Sequence, residues 1–194
     1  MQLFIFTFLL IAYFVLHSIL AAHRVKRALV NAWISGKYYR LAFNAIAIVT
    51  LLPIAYSFII IKSPFLFDSK GTSVIGLVLL VVGIALLLYA LSQYNLSEFS
   101  GIEQLKTNTS PSPQNLKTTG FNSLVRHPLY FAGLIIIWGG FLYSPSVKFL
   151  VVSLIATLYL YFGTKLEEQK LLLEFGEEYR SYRKKVGMLI PWLK

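Results

Sequence analysis

The sequence predicts an all-α integral membrane protein of about five transmembrane helices with a C-terminal amphipathic helix, and three observations carry that expectation. Of the 194 residues, 57% are hydrophobic and only 13% are charged, a richer apolar share and a far poorer charged share than soluble domains show. Apolar runs recur along the chain, several of them about 18 residues or longer and so able to cross ~30 Å of hydrocarbon. The lysines and arginines gather at the ends of those runs, where membrane proteins place them.

The first span is expected over about Leu3–Ala22. It resembles a secretory leader in ending on small residues, but Met1 and Gln2 supply no basic segment and the apolar stretch is long, so it reads as a retained helix. The second covers about Leu41–Ile61, with Pro53 inside it as a kink that neighbouring helices accommodate. The third covers about Ser73–Leu91. A polar stretch over 92–125 follows, in which TNTSPSPQN (Thr107–Asn115) has turn and linker composition. Two shorter runs, Leu129–Ser144 and Val147–Gly163, are split by little more than Pro145 and read as a tight hairpin. From Thr164 onward the chain is mixed and charged, with Leu166, Leu171, Leu172 and Phe175 at helical spacing. That pattern predicts an amphipathic helix leaving the membrane and touching lipid. Residues 1–194 are expected to form one membrane domain.

Composition also excludes. With no cysteine, the chain has no disulfide, no thiolate metal ligand and no cysteine nucleophile. A net charge of +10 raises the question of nucleic acid, yet the basic residues flank apolar spans and form no stripe interleaved with exposed aromatics. No nucleic-acid partner is therefore expected. Three widely spaced histidines without ligand-spaced acids predict no metal site.

Orientation follows from the same cations. With an odd number of spans, the loop after the first, the loop after the third and the tail share a side, and all 18 basic residues except Lys62, Lys70 and Lys148 fall there. The N-terminus is expected outside and the C-terminus in the cytoplasm, across an inner or plasma membrane.

Polar side chains able to do chemistry lie on that cytoplasmic side. Pro128 disfavours helical geometry before it and suits the first turn of a helix after it, so Arg126 and His127 stand at a helix mouth. Such a mouth, with free N–H groups and a cation, suits a carboxylate. The plainer reading makes Arg126 and His127 interfacial anchors. Glu167 and Glu168 follow the last apolar run, where carboxylates are costly unless they pair or bind something. Pairing with Lys165 or Arg126 would make them structural; a ligand amine or ribose hydroxyl would make them functional. His17, inside the first span, is a functional candidate by its depth, against the alternative of a neutral imidazole bonded to another helix.

Two blocks carry a family resemblance. G-x-x-x-x-V-RHP-x-Y-x-x-G begins at Gly120, and EE-x-x-L-x-x-x-FG-x-EY-x-x-Y-x-x-x-V-x-x-x-IP runs from Glu167 to Pro191. With an apolar hairpin between them, they resemble the membrane methyltransferases that include isoprenylcysteine carboxyl methyltransferase and the phospholipid N-methyltransferases. HSILAAHRVK (17–26) and YYRLAFN (38–44) further resemble the NnrU-like and methanethiol S-methyltransferase branch.

The resemblance implies an S-adenosylmethionine site over about 114–191, on the cytoplasmic mouth of the last two spans. It places His127 and Tyr130 on the cofactor together with Glu167, flanked by Pro128 and Glu168. Gln114, Asn115, Leu116 and Lys117 would line the same pocket, with Asn122 after them. Asn122 stands where the carboxyl methyltransferases often carry tyrosine, and Gln114 where they carry histidine. Arg126, His127 and Glu167 are the residues implied in the chemistry. Gly163 replaces the arginine that suits a prenylcysteine carboxylate, and glycine supplies no bidentate fork. His17 and Gly163 are expected to border the acceptor. The activity implied is methylation of a small thiol or similar lipophilic nucleophile. A prenylcysteine, a phospholipid amine and a non-catalytic NnrU-like role are the alternatives.

Overall fold

A computed structural model describes residues 1–67, 70–107 and 115–193, with the side chains at 98, 99, 104, 106 and 107 left out. The elements run α1 (Gln2–Ala21), α2 (His23–Ala32), α3 (Gly36–Ile60), α4 (Lys70–Ser92), α5 (Leu96–Ser100), α6 (Ile102–Thr107), a 3-10 turn (Gly120–Ser123), α7 (Pro128–Tyr143) and α8 (Val147–Lys185). Among the described residues the only β pairing is two isolated bridges. Helices α1, α3, α4 and α8 are long and apolar enough to cross a membrane, and α7 is a shorter apolar helix. The fold is all-α and integral to a membrane, as composition predicts. The linker around Pro111 and Pro113 lies outside the described residues, as does Gln114.

The chain divides into two compact units, Met1–Lys62 with Tyr94–Gln114, and Ser63–Gln93 with Asn115–Lys194. In the first, α1 packs on α3 through Phe6 and Phe58, whose rings lie 5.9 Å apart, and the Tyr39 hydroxyl donates to the Leu20 carbonyl at 2.6 Å. Helix α3 continues through Pro53. The Asn44 amide donates to the Ser100 carbonyl at 2.9 Å and ties α5 to α3.

In the second unit, α4 and α7 pack backbone to backbone. A Cβ added to Gly76 would come within 2.6 Å of the Leu142 carbonyl carbon, and one added to Gly139 within 2.9 Å of the Leu80 nitrogen. In lipid, where apolar surface gains nothing from association, such close approach lets dispersion hold helices together. Ala90, Phe121 and Val125 form a buried cluster at one end of this pair, backed by Leu129 and Phe131. The short link Ser144–Ser146 between α7 and α8 is pinned by the Leu66 amide donating to the Pro145 carbonyl at 2.7 Å.

The last span and the charged tail are one helical run with a break. Gly176 has φ 52° and ψ −122°, a backbone state that side chains disfavour. An unbroken helix would put Tyr179 about 16 Å beyond Glu168 along the axis. Instead the Tyr179 hydroxyl donates to Glu168 Oε1 at 3.2 Å. The chain therefore doubles back at Gly176, and the expected outgoing tail helix returns onto the end of the span.

These contacts predict two outcomes for unfolding of the detergent-solubilised protein. Gly76→Val should destabilise by roughly 1–3 kcal/mol, because the α4–α7 backbones must part. Gly133→Ala, whose Cβ meets nothing within 4 Å, should be neutral or stabilising by up to about 1 kcal/mol. Equal effects from the two would contradict the close packing.

Candidate functional site

The site is assembled where α7 begins and the returning tail passes. Pro128 opens α7 at its first turn, and the His127 carbonyl accepts from the Phe131 amide at 3.0 Å. The residues before it are held by the tail in a short parallel pairing of Val125 with Gly187. The Arg126 amide donates to the Gly187 carbonyl at 2.9 Å and the His127 amide to the Met188 carbonyl at 3.3 Å. At Gly187 a Cβ would run into the Ile190 carbonyl oxygen and lie 2.8 Å from that of Leu193, so glycine lets the chain after it fold back against this pairing segment.

Arg126 and Glu168 form the buried centre, with side chains 6% and 3% exposed. Arg126 Nε donates to Glu168 Oε1 at 2.6 Å and Nη2 lies 2.5 Å from the same oxygen. Its Nη1 donates to the Val186 carbonyl and, at 3.3 Å, to that of Arg183. Arg183 Nε stands 3.5 Å from Glu168 Oε2. Glu168 lies beyond the apolar stretch that ends at Gly163. Burial alone would raise its carboxyl pKa, but the adjacent His127 and Arg126, with the charge of Arg183, outweigh that and hold it at about 2, against an ordinary 4.5. Burial and the Glu168 charge push the Tyr179 hydroxyl well above its usual value, so it stays a donor.

Glu167, one residue earlier, is placed differently. Its side chain is 43% exposed, and the Tyr130 hydroxyl donates to Oε2 at 2.9 Å. The His127 ring stacks on Tyr130 with centroids 5.6 Å apart and planes 3° from parallel. Its Nδ1 is 3.7 Å from Glu167 and its Nε2 3.6 Å from Glu168, both beyond hydrogen-bond range. The ring is 5% exposed, and Nε2 has no hydrogen-bond partner among the described residues.

Of the residues picked out in the sequence, Arg126, His127, Pro128, Tyr130, Glu167 and Glu168 come together here. Asn122 is buried beside them, donating to the Arg126 carbonyl at 3.3 Å, while the Tyr182 hydroxyl donates to the Asn122 carbonyl at 2.5 Å. Asn115 and Leu116 lie outside any helix or strand, and Lys117 Nζ donates to the Gln93 carbonyl at 2.6 Å. Gly163 lies one helical turn before Glu167, with nothing within 4 Å of where its Cβ would be. His17 belongs to the first unit, where its ring meets Phe43 at 4.7 Å in a small groove shared with Tyr13 and Thr50. Tyr179, Tyr182 and Arg183 joined the site unforeseen, although the spacing Glu-Tyr-x-x-Tyr already set the two tyrosines on one helix face.

Residues 22–186 match the family described as "Protein of unknown function (DUF1295)". The chain belongs to this family. Beyond the DUF1295 match, it is similar to enzymes named methanethiol S-methyltransferase. That of Pseudomonas deceptionensis is 34% identical over 66% of this chain and 49% of its own length. Methanethiol S-methyltransferase 1 of Bradyrhizobium diazoefficiens is 33% identical over 49% of this chain and 34% of its own. The Crocosphaera subtropica protein is 30% identical over 66% and 50%. This DUF1295 chain thus spans about half the length of the curated relatives it matches. No solved structure matches it.

Removing one partner of a buried pair strands the other charge, so Arg126→Met or Glu168→Gln should each cost roughly 3–5 kcal/mol. The double replacement by methionine should unfold closer to the unaltered protein than either single variant. The Glu168 carboxyl has a depressed pKa in the folded state, so its contribution is complete above about pH 4.5 and lost as pH falls through about 2. The stability gap to Glu168→Gln, followed by unfolding across that window, should narrow on acidification. A gap independent of pH would remove the carboxylate from its assigned role.

Proposed function

We propose that the protein is an S-adenosylmethionine-dependent membrane methyltransferase acting on a small thiol or similar soft nucleophile. The observation that carries this reading is the buried Nε2 of His127, without a hydrogen-bond partner among the described residues, beside a half-exposed Glu167 carboxylate gripped by Tyr130. A buried polar atom left over in this way fits a group that arrives from outside. The similarity to enzymes named methanethiol S-methyltransferase supports the same reading and supplies the acceptor class.

On this proposal His127, Tyr130 and Glu167 hold the donor, with Asn115 to Lys117, Asn122 and Pro128 around it. Gln114 is proposed with them from the sequence. S-adenosylmethionine, when bound, supplies a methyl group made electrophilic by its sulfonium. The Glu167 carboxylate is suited to accept hydrogen bonds from an amine or ribose hydroxyl, and charged acceptors make the stronger bonds. Arg126 and Glu168 are spent on each other and on the tail, so their proposed contribution is to fix the frame that carries His127. An acceptor thiol must first shed its proton, since the thiolate is the nucleophile. Placement of acceptor and donor in line, out of water, then lowers the barrier by up to roughly 7–11 kcal/mol.

Gly163 bears on the acceptor. A Cβ would meet nothing within 4 Å at this position, so a close backbone approach does not account for the glycine. The missing fork favours a thiol over a prenylcysteine carboxylate. His17 is proposed to contact the acceptor, and His17→Phe should then raise KM for the thiol while leaving donor affinity unchanged.

The deciding experiment is calorimetric titration of the purified protein with S-adenosylhomocysteine, followed by an acceptor screen. Saturable binding is expected, weakened about tenfold or more by Glu167→Ala, since a charge-assisted bond contributes about 1.5–3 kcal/mol. Methylated thiol in the headspace of expressing cells identifies the acceptor; label in the lipid extract would shift it to a head group. A folded sample that binds nothing would favour a non-catalytic role. The proposed cytoplasmic placement of this site is tested with a single introduced thiol. In a chain that has no cysteine, Ser181→Cys should react with an impermeant maleimide only after the cells are opened.

A further inference from the structure

The connection between α1 and α3 is itself a helix, and its unit covers it only in part, with Val25, Leu29 and Val30 half-buried. Helix α2 has ten residues, none of them buried. Isolated helices shorter than about 12–15 residues are marginal in water, so this one needs a surface to lie on. Ala22 has extended backbone between α1 and α2, so α2 does not prolong the first span. Both of its ends are tethered to membrane-crossing helices, which confines it to the membrane boundary.

Its pattern identifies the surface. At 100° per residue, Val25, Leu29 and Trp33 share one face, while Arg24, Arg27 and Asn31 share the other. Trp33 is 86% exposed, and an indole so placed beside cations is characteristic of a bilayer's headgroup level. The charge is of one sign: the first acidic residue of the chain is Asp68. Arg24, Lys26 and Arg27 make no ion pair among the described residues. Lys26 Nζ instead lies 5.8 Å from the centre of the Tyr39 ring.

We propose that α2 lies in the plane of the bilayer interface, with the exposed Trp33 among the acyl chains on the side of the half-buried Val25 and Leu29, and that Arg24, Lys26 and Arg27 bind the phosphates of anionic lipids. Basic side chains on an interfacial helix enrich anionic lipid around it, within a screening distance of about 8–10 Å. The lipid site uses none of the residues proposed for the donor and does not depend on the proposed activity.

The test uses the full chain in vesicles of phosphatidylcholine with a minor share of phosphatidylglycerol, one lipid or the other carrying bromine at equal mole fraction. The signal is the tryptophan quenching present in the unaltered protein and lost in Trp33→Phe. Brominated phosphatidylglycerol should quench this component about twofold more than brominated phosphatidylcholine at low salt, and less so as salt rises. Replacing Arg24, Lys26 and Arg27 together with glutamine should equalise the two lipids while Trp33 is still quenched. Equal quenching in the unaltered protein overturns the lipid preference, and no quenching by either overturns the interfacial placement. A preference that survives the triple replacement assigns it to other cations and overturns the site.

Discussion

Everything at the candidate site depends on one buried ion pair, Arg126 with Glu168. A buried pair of this kind contributes little net stability compared with well-packed apolar groups, because desolvation offsets most of the attraction. What it contributes here is connection. Its two members are 42 positions apart, one just before α7 and the other near the end of the apolar part of α8. Arg126 also reaches two carbonyls at the far end of the returning tail. One guanidinium therefore links three stretches of chain. Breaking it would release the backbone pairing of Arg126 and His127 with Gly187 and Met188, and with it the position of the histidine ring.

Two glycines make that geometry possible for different reasons. Gly176 supplies a backbone conformation with positive φ, turning the tail back so that Tyr179 and Arg183 reach Glu168. Gly187 supplies space, letting the Ile190 and Leu193 carbonyls close against the tail segment that pairs with residues 125–127. The first is a conformational requirement and the second a steric one. Together they explain how a charged C-terminal segment closes over a site formed at the mouth of two apolar helices.

The apolar spans were legible because each needs only length and composition, and the helix starts at Pro128 and Val147 follow from chain chemistry next to them. The break at Gly176 was not. A glycine inside a charged helical pattern looks like a tolerated one, and only the distant partner Glu168 distinguishes a turn. Helix α2 is hidden for a related reason: Arg24, Lys26 and Arg27 fit the pattern of cations flanking a span, which masks their periodicity with Val25, Leu29 and Trp33. At the site, Arg126, His127, Tyr130, Glu167 and Glu168 stood out in the sequence, but the division of labour between the two glutamates did not. Adjacent residues on a helix point about 100° apart, and sequence alone does not say which one faces the interior.

That division decides what the histidine is free to do. Glu168, the buried carboxylate, already accepts from Arg126 and Tyr179 and stands near Arg183, so His127 is left outside hydrogen-bond range at 3.6 Å. Glu167 accepts from Tyr130 and is likewise 3.7 Å from the ring. The imidazole is thus held by stacking and by its backbone, with no carboxylate bonded to either nitrogen. Here the rigid frame is supplied by Arg126 and Glu168, and the groups left with unused bonding capacity, His127 Nε2 and the exposed Glu167 carboxylate, are the ones that the proposed donor would engage.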